Sequence, residues 1–196
     1  SGILTSVFSI VVNGVMHFKL KTIDMAYIAL FAVLMAVCSW IAVPAAVPFT
    51  MQTFGVFLAG AVLGGRRGTL AVCVYLLMGV VGLPVFAGFN GGIGYMLGST
   101  GGYIVGFLLS ALVMWAMEAL PGDRKWTLPL SMVLGLVVCY AFGTAWFMLV
   151  YGKNTGPIGL MTALGWCVIP YILPDLGKIL LAMVLQKRLK RAIHLN

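Results

Sequence analysis

GGYIVGFLLSALVMWAMEAL (Gly101–Leu120) is followed at once by Pro121-Gly122-Asp123-Arg124-Lys125. Glu118 is the one charged side chain in that apolar run, and it stands near its end. About 20 apolar residues, rising 1.5 Å each as a helix, cross the ~30 Å hydrocarbon core of a bilayer. The basic pair just beyond the run is the usual mark of a cytoplasmic flank. The rest of the chain has the same character. Its 196 residues are 62% hydrophobic and 8% charged, with a mean hydropathy of +1.11. Soluble domains carry roughly 25% charged residues, so the composition specifies a membrane protein.

Five further helices are predicted around that span. They run from about Thr22 to Ala42, Thr53 to Gly64, Thr69 to Gly82, Leu128 to Val150, and from near Pro174 into the Lys187–Arg191 cluster. The expected fold is an all-α integral membrane protein with six transmembrane helices, forming one domain over residues 16–196. Residues 1–15 read as an appended leader or an extra N-terminal segment before Met16. A signal peptide fits poorly, because Lys19 and Lys21 follow the apolar run instead of preceding it.

The basic residues give this bundle an orientation. With six spans, ten of the twelve Lys and Arg collect on one side: Lys19, Lys21, Arg66, Arg67, Arg124, Lys125, Lys187, Arg188, Lys190 and Arg191. The opposite side holds Lys153, and Lys178 falls within a membrane segment. The positive-inside rule makes the crowded side, with both termini, cytoplasmic. This placement accounts for the net charge of +8 without nucleic acid as a partner. The expected location is the cell (plasma) membrane, crossed several times, with the lipid bilayer as a partner.

Three connections fall on the outer side: Val43 to Gln52, Leu83 to Thr100, and Tyr151 to Leu173. They are apolar, nearly uncharged and rich in Gly and Pro. Non-helical backbone at membrane depth is tolerated where it is buried or lines a cavity. The connections are therefore expected to fold over the helix ends and close an extracellular ligand pocket. Asp175 and Lys178 stand beside them, three residues apart and so on one helix face. Ionisable side chains in a membrane segment are costly and mark functional sites by default. The bland alternative is an acid favoured by the helix N-terminus, just after Pro174, with a snorkelling Lys. It explains Asp175 but leaves Lys178 a turn deeper.

The middle connection offers Phe86, Phe89 and Tyr95 as flat apolar surface and Asn90 as a side-chain amide, with Gly91 permitting close backbone approach. Turn-making alone accounts for the glycines and Asn90 equally well. Gln52 either caps a helix or contacts ligand. Trp166 and Tyr171 either belong to an interfacial belt or line the pocket. Cys38, Cys73, Cys139 and Cys167 lie in apolar runs without a CxxC pair and read as small buried side chains. His17 and His194 sit near the chain ends, so no metal site and no catalytic base is expected, and no cofactor.

Taken together, Pro48-Phe-Thr-Met-Gln-Thr53, Leu63-Gly-Gly-Arg-Arg-Gly68, Gly82-Leu-Pro-Val-Phe-Ala-Gly88, Gly98-Ser-Thr-Gly-Gly-Tyr103 and Pro174-Asp-Leu-Gly-Lys178 resemble the BioY family. BioY proteins are the biotin-binding, substrate-capture (S) components of energy-coupling-factor (ECF) vitamin transporters. The resemblance extends over about residues 24 to 190. It departs where the family usually has Pro-Gly-Asp before the last helix and Gly-Pro-Thr-Gly-Gly before the fourth. The Asp-x-x-Lys spacing is kept.

The resemblance implies a six-helix bundle that captures biotin from outside. Biotin is then the transported ligand, not a cofactor. Asp175 and Asn90 would meet the ureido ring. Lys178 would either donate to a ligand oxygen or hold Asp175 ionised. Gln52 and Tyr95 are secondary candidates. Two ATPase subunits and a transmembrane coupling subunit are implied as separate chains, and the sequence contains no GxxxxGK[ST] motif. The Ala32-Val-Leu-Met-Ala36 run, extended by Ala29, matches a small-residue face that docks the coupling subunit in the family. Internal packing is the alternative, since small-xxx-small patterns are common in membranes. The protein is not expected to be an enzyme: an intramembrane serine protease would need an activating base that is missing here. A stand-alone small-molecule carrier or channel is the rival reading.

Overall fold

The computed structural model describes residues 20–44, 47–120 and 123–192. The leader expected over residues 1–15 lies outside them. The described chain is mostly helical, in the order α1 (Thr22–Trp40), β1 (Ala42–Val43), β2 (Phe49–Thr50), α2 (Gln52–Leu63), α3 (Gly65–Val80), α4 (Ile93–Met96), α5 (Gly101–Glu118), α6 (Arg124–Asn154), α7 (Leu160–Cys167) and α8 (Ile169–Ala192). Four stretches are long and apolar enough to cross a membrane: Thr22–Trp40, Gly101–Glu118, Trp126–Asn154 and Leu160–Arg191. Their outward faces carry Leu30, Val33, Val137, Leu149, Leu180 and Val184, all exposed. So much exposed apolar surface suits lipid and not water. The molecule is a membrane protein.

Helix α2 is the centre. All of its 12 residues except Thr53 are buried, against α1, α3, α5 and α8. At 1.5 Å per residue it is roughly 18 Å long, short of a bilayer. A helix wrapped by protein on every side does not need to match the lipid thickness. It ends at Gly64, whose φ of 84° is open to glycine. The chain then reverses directly into α3. The two helices cross so tightly that a Cβ on Gly68 would lie 2.7 Å from the Gly60 Cα.

The α5–α6 pair packs antiparallel by a similar device. Gly102 lies against Trp146, Gly106 against Cys139, and Gly143 against Tyr103. Each glycine admits a large or backbone-proximal neighbour from the other helix. On α1, Ile28, Phe31, Ala32, Met35, Ala36 and Ser39 are buried, at the i, i+3, i+4, i+7 spacing of one helix face. Ala32 and Ala36, at 0% and 4% exposure, thus lie inside the bundle. They are covered, where a docking face would leave them open. Ala29 is exposed.

The acids at one end of the bundle are used structurally. Asp24 Oδ1 pairs with Arg67 Nε at 3.0 Å, and its other oxygen accepts the Lys21 backbone N–H. Glu118 accepts the Gly65 N–H at the start of α3.

The expected outer connections lie at the other end. The first folds as a hairpin, β1 antiparallel to β2 with Ala42 opposite Thr50. The second forms a tight turn over Ala87–Phe89, bridged between Phe86 and Asn90, and then α4. The third departs from expectation. Instead of a loop from Tyr151 to Leu173, α6 continues to Asn154, α7 occupies 160–167, and α8 begins at Ile169. Pro174 therefore lies inside a helix instead of opening one. It cannot donate to the Pro170 carbonyl one turn back. An apolar run with two prolines four apart reads as a breaker, yet packing against α2 and α7 carries the helix through.

Candidate functional site

A cavity of about 60 Å³ lies where β2, α2, α5, α6 and α8 converge, at the end of the bundle away from Arg67. Its wall carries the aromatic side chains of Phe49, Tyr95, Tyr103, Phe107, Tyr140 and Tyr171. Sites for drug-sized ligands are larger, about 300–1,000 Å³.

Asp175 and Lys178 enter it from one face of α8, at 3% and 5% exposure. They form an ion pair, Nζ to Oδ1, at 2.6 Å. Neither charge lacks partners. The same Oδ1 accepts the Thr53 hydroxyl at 3.0 Å, and Oδ2 accepts the Tyr140 hydroxyl. Lys178 Nζ also donates to the Thr50 carbonyl at 2.6 Å and to Thr53 Oγ1 at 3.1 Å. Its charge sits 4.0 Å from the Phe49 ring centre, a favourable approach to a π face. An ammonium has three donors, and all three are spent within the protein. The carboxylate accepts three bonds out of about four lone-pair sites, which leaves it room for one more donor. Chemically the site is a carboxylate acceptor ion-paired to a cation with no donor to spare, in a cavity with aromatic side chains on its wall.

Gln52 lines the same cavity and is buried. Its side chain does not cap α2. Tyr95 lines it from α4, and Tyr171 closes it while its hydroxyl donates to the Val47 carbonyl. The other four predicted residues are placed elsewhere. Phe86 is fully buried, edge-on to Tyr75 and stacked on Tyr95. Phe89 is exposed and stacks on Trp40 across the outer surface. Asn90 folds its amide onto its own turn, donating to the Ala87 carbonyl at 2.8 Å. Gly91 is pressed against Leu83, whose carbonyl would lie 2.1 Å from an added Cβ. The structure thus brings Gln52, Tyr95, Asp175 and Lys178 together and leaves Phe86, Phe89, Asn90 and Gly91 off the cavity wall.

Sequence reasoning missed Thr53 and Tyr140. A tyrosine in the middle of an otherwise apolar span was the available signal for Tyr140. Tyr140→Phe is expected to weaken ligand binding roughly 10- to 100-fold, since a hydrogen bond to a charged group contributes roughly 1.5–3 kcal/mol. Titration of the purified variant checks it.

Comparison with known proteins bears on what this cavity holds. The model of the BioY family matches residues 13–195. The chain belongs to the BioY family. The biotin transporter BioY of Thermotoga maritima is 40% identical over 163 residues, covering 83% of this chain and 92% of that protein. The probable biotin transporter BioY of Pyrococcus horikoshii is 37% identical over 172 residues, covering 87% of this chain and 98% of its own. Among solved structures, the S-component for biotin from an ECF-type ABC transporter superposes with a TM-score of 0.74 at 25% identity. The match covers 86% of this chain and 90% of that one. A BioY member thus supplies the cavity just described, with its Asp–Lys pair inside an aromatic wall.

Proposed function

We propose that this chain is the biotin-binding subunit of an ECF-type vitamin uptake transporter. It captures biotin outside the plasma membrane and delivers it inward with separate ATPase and coupling subunits. The observation that carries the reading is the buried Asp175–Lys178 pair facing an aromatic cavity. Biotin has an apolar bicycle and tail, and a ureido ring with two N–H groups. In this reading Asp175 accepts a ureido N–H at its spare lone pair, and Lys178 supports it as ion-pair partner. Biotin needs more room than the cavity's roughly 60 Å³, so capture in this reading is accompanied by opening of the loops above it. Asn90, released from its own turn, then joins at the ureido edge.

The reading has α1, α2, α3, α5, α6 and α8 as the six spans, with both termini cytoplasmic. The Lys21, Arg66 and Arg67 end then faces the cytoplasm, in keeping with the positive-inside rule. Docking to the coupling subunit falls to the exposed side of α1 around Ala29. Ala29→Trp is expected to lower uptake in cells several-fold while biotin binding stays at parental level. Ala32→Trp and Ala36→Trp, which overfill the core, are expected to lose folded protein. Radiolabelled biotin uptake and gel filtration, run side by side, separate these outcomes. Co-purification of biotin with the protein, and of ATPase and coupling chains with it from native membranes, tests the assignment as a whole. Recovery of neither would count against it.

A further inference from the structure

A chain of hydrogen bonds leaves the cavity and ends under the middle outer loop. It starts at Lys178, which donates to the Thr50 carbonyl. The Thr50 hydroxyl donates to Gln52 Oε1 at 2.8 Å and accepts the Gln52 backbone N–H at 3.3 Å. Gln52 Nε2 donates to the Tyr75 hydroxyl. Tyr75 in turn donates to the Val85 carbonyl at 3.0 Å. Ser39, on α1, reaches the same carbonyl at 2.6 Å.

The direction of this chain is forced from its Val85 end. A carbonyl can only accept, so the single Tyr75 proton goes to Val85 and its oxygen must accept from Gln52. With Nε2 committed to Tyr75, Gln52 presents Oε1 to Thr50, so the Thr50 hydroxyl donates to it. The amide of Gln52 therefore has one orientation, Nε2 toward Tyr75 and Oε1 toward Thr50. One N–H and one lone pair of this cavity-lining amide are left unused by these bonds. Tyr75 is 0% exposed and does not line the cavity itself. Its ring lies edge-on to Phe86, which stacks on Tyr95 of the cavity wall.

We infer that Tyr75 is a positioning residue for ligand binding. Its hydroxyl fixes the orientation of the Gln52 amide and ties that amide to Val85 at the root of the middle loop. A ligand group that meets Gln52 thereby meets a donor and an acceptor in set places. The inference rests on the biotin reading for the ligand's identity, but not for the relay.

Tyr75→Phe keeps the ring and its contact with Phe86 and removes only the hydroxyl. Biotin titration of the purified protein should show a roughly 5- to 30-fold rise in Kd, with the melting temperature of the ligand-free protein nearly unchanged. In a Gln52→Leu background the same substitution should cost less than about twofold, because the amide it positions is gone. Parental affinity in Tyr75→Phe, or an undiminished loss in the Gln52→Leu background, overturns the inference. Hydrogen exchange of residues 83–98 is the ligand-independent arm, expected to quicken in Tyr75→Phe and in Gln52→Leu. If the parent does not bind biotin, the ligand assignment fails and this arm alone decides: faster exchange sustains the relay, unchanged exchange ends it.

Discussion

Asp175→Asn and Lys178→Ala are each expected to weaken biotin binding by about 100-fold or more. The two side chains are almost fully buried and joined at 2.6 Å. Asp175 carries the lone pair that the ligand would use and Lys178 is the counter-charge that presents it; a hydrogen bond to a charged group contributes roughly 1.5–3 kcal/mol, and each ~1.4 kcal/mol is a factor of ten. The two variants should also differ in kind. Lys178→Ala strips Asp175 of its counter-charge and of one of its three donors, leaving those from Thr53 and Tyr140. Asp175→Asn presents N–H groups where the ligand's own donors would arrive. The double variant Asp175→Leu with Lys178→Met removes both charges together, which often costs little stability or even raises it. Its expected signature is a melting temperature at or above the parent's with no measurable biotin binding. Parental binding by both single variants would show that the pair serves folding alone.

Gly68→Val is expected to prevent accumulation of folded protein. An added Cβ would lie 2.7 Å from the Gly60 Cα and 2.9 Å from its nitrogen. Those are backbone atoms of the central helix, so no rotamer change relieves the overlap. Overpacking a core costs about 1–3 kcal/mol and more where backbone must move, and here α2 would be pushed toward the cavity it supports. Membrane yield and gel filtration read the outcome. A monodisperse Gly68→Val protein with parental biotin affinity would mean that α2 and α3 do not cross as described.

Much of this architecture was legible in the sequence, because apolar run length and basic flanks are strong signals in a bilayer. The first helix and the run from Gly101 were located to within about two residues. The Asp-x-x-Lys pair stood out because nothing else in the chain puts two opposite charges inside an apolar segment. What escaped was set by packing. Proline at 174 looked like a helix start, but the continuous α8 from Ile169 is held by its neighbours. Ala32 and Ala36 carry no mark that tells a buried small residue from an exposed one. Only the close approach of α2 against α1 does, as where Gly55 meets Met35. Thr53 and Tyr140 come from helices far from Asp175 in sequence, and their role exists only once α2, α6 and α8 converge. Asn90 donates its amide N–H within its own turn, and the sequence carries no signal that separates such a turn bond from a ligand contact.

The most direct measurement is a calorimetric titration of the purified, detergent-solubilised or nanodisc-embedded protein with biotin, thiamine and riboflavin in parallel. Saturable heat with biotin and none with the other two vitamins is the predicted result, with the biotin signal lost in Asp175→Asn. No heat with biotin, or equal binding of thiamine or riboflavin, would contradict the account.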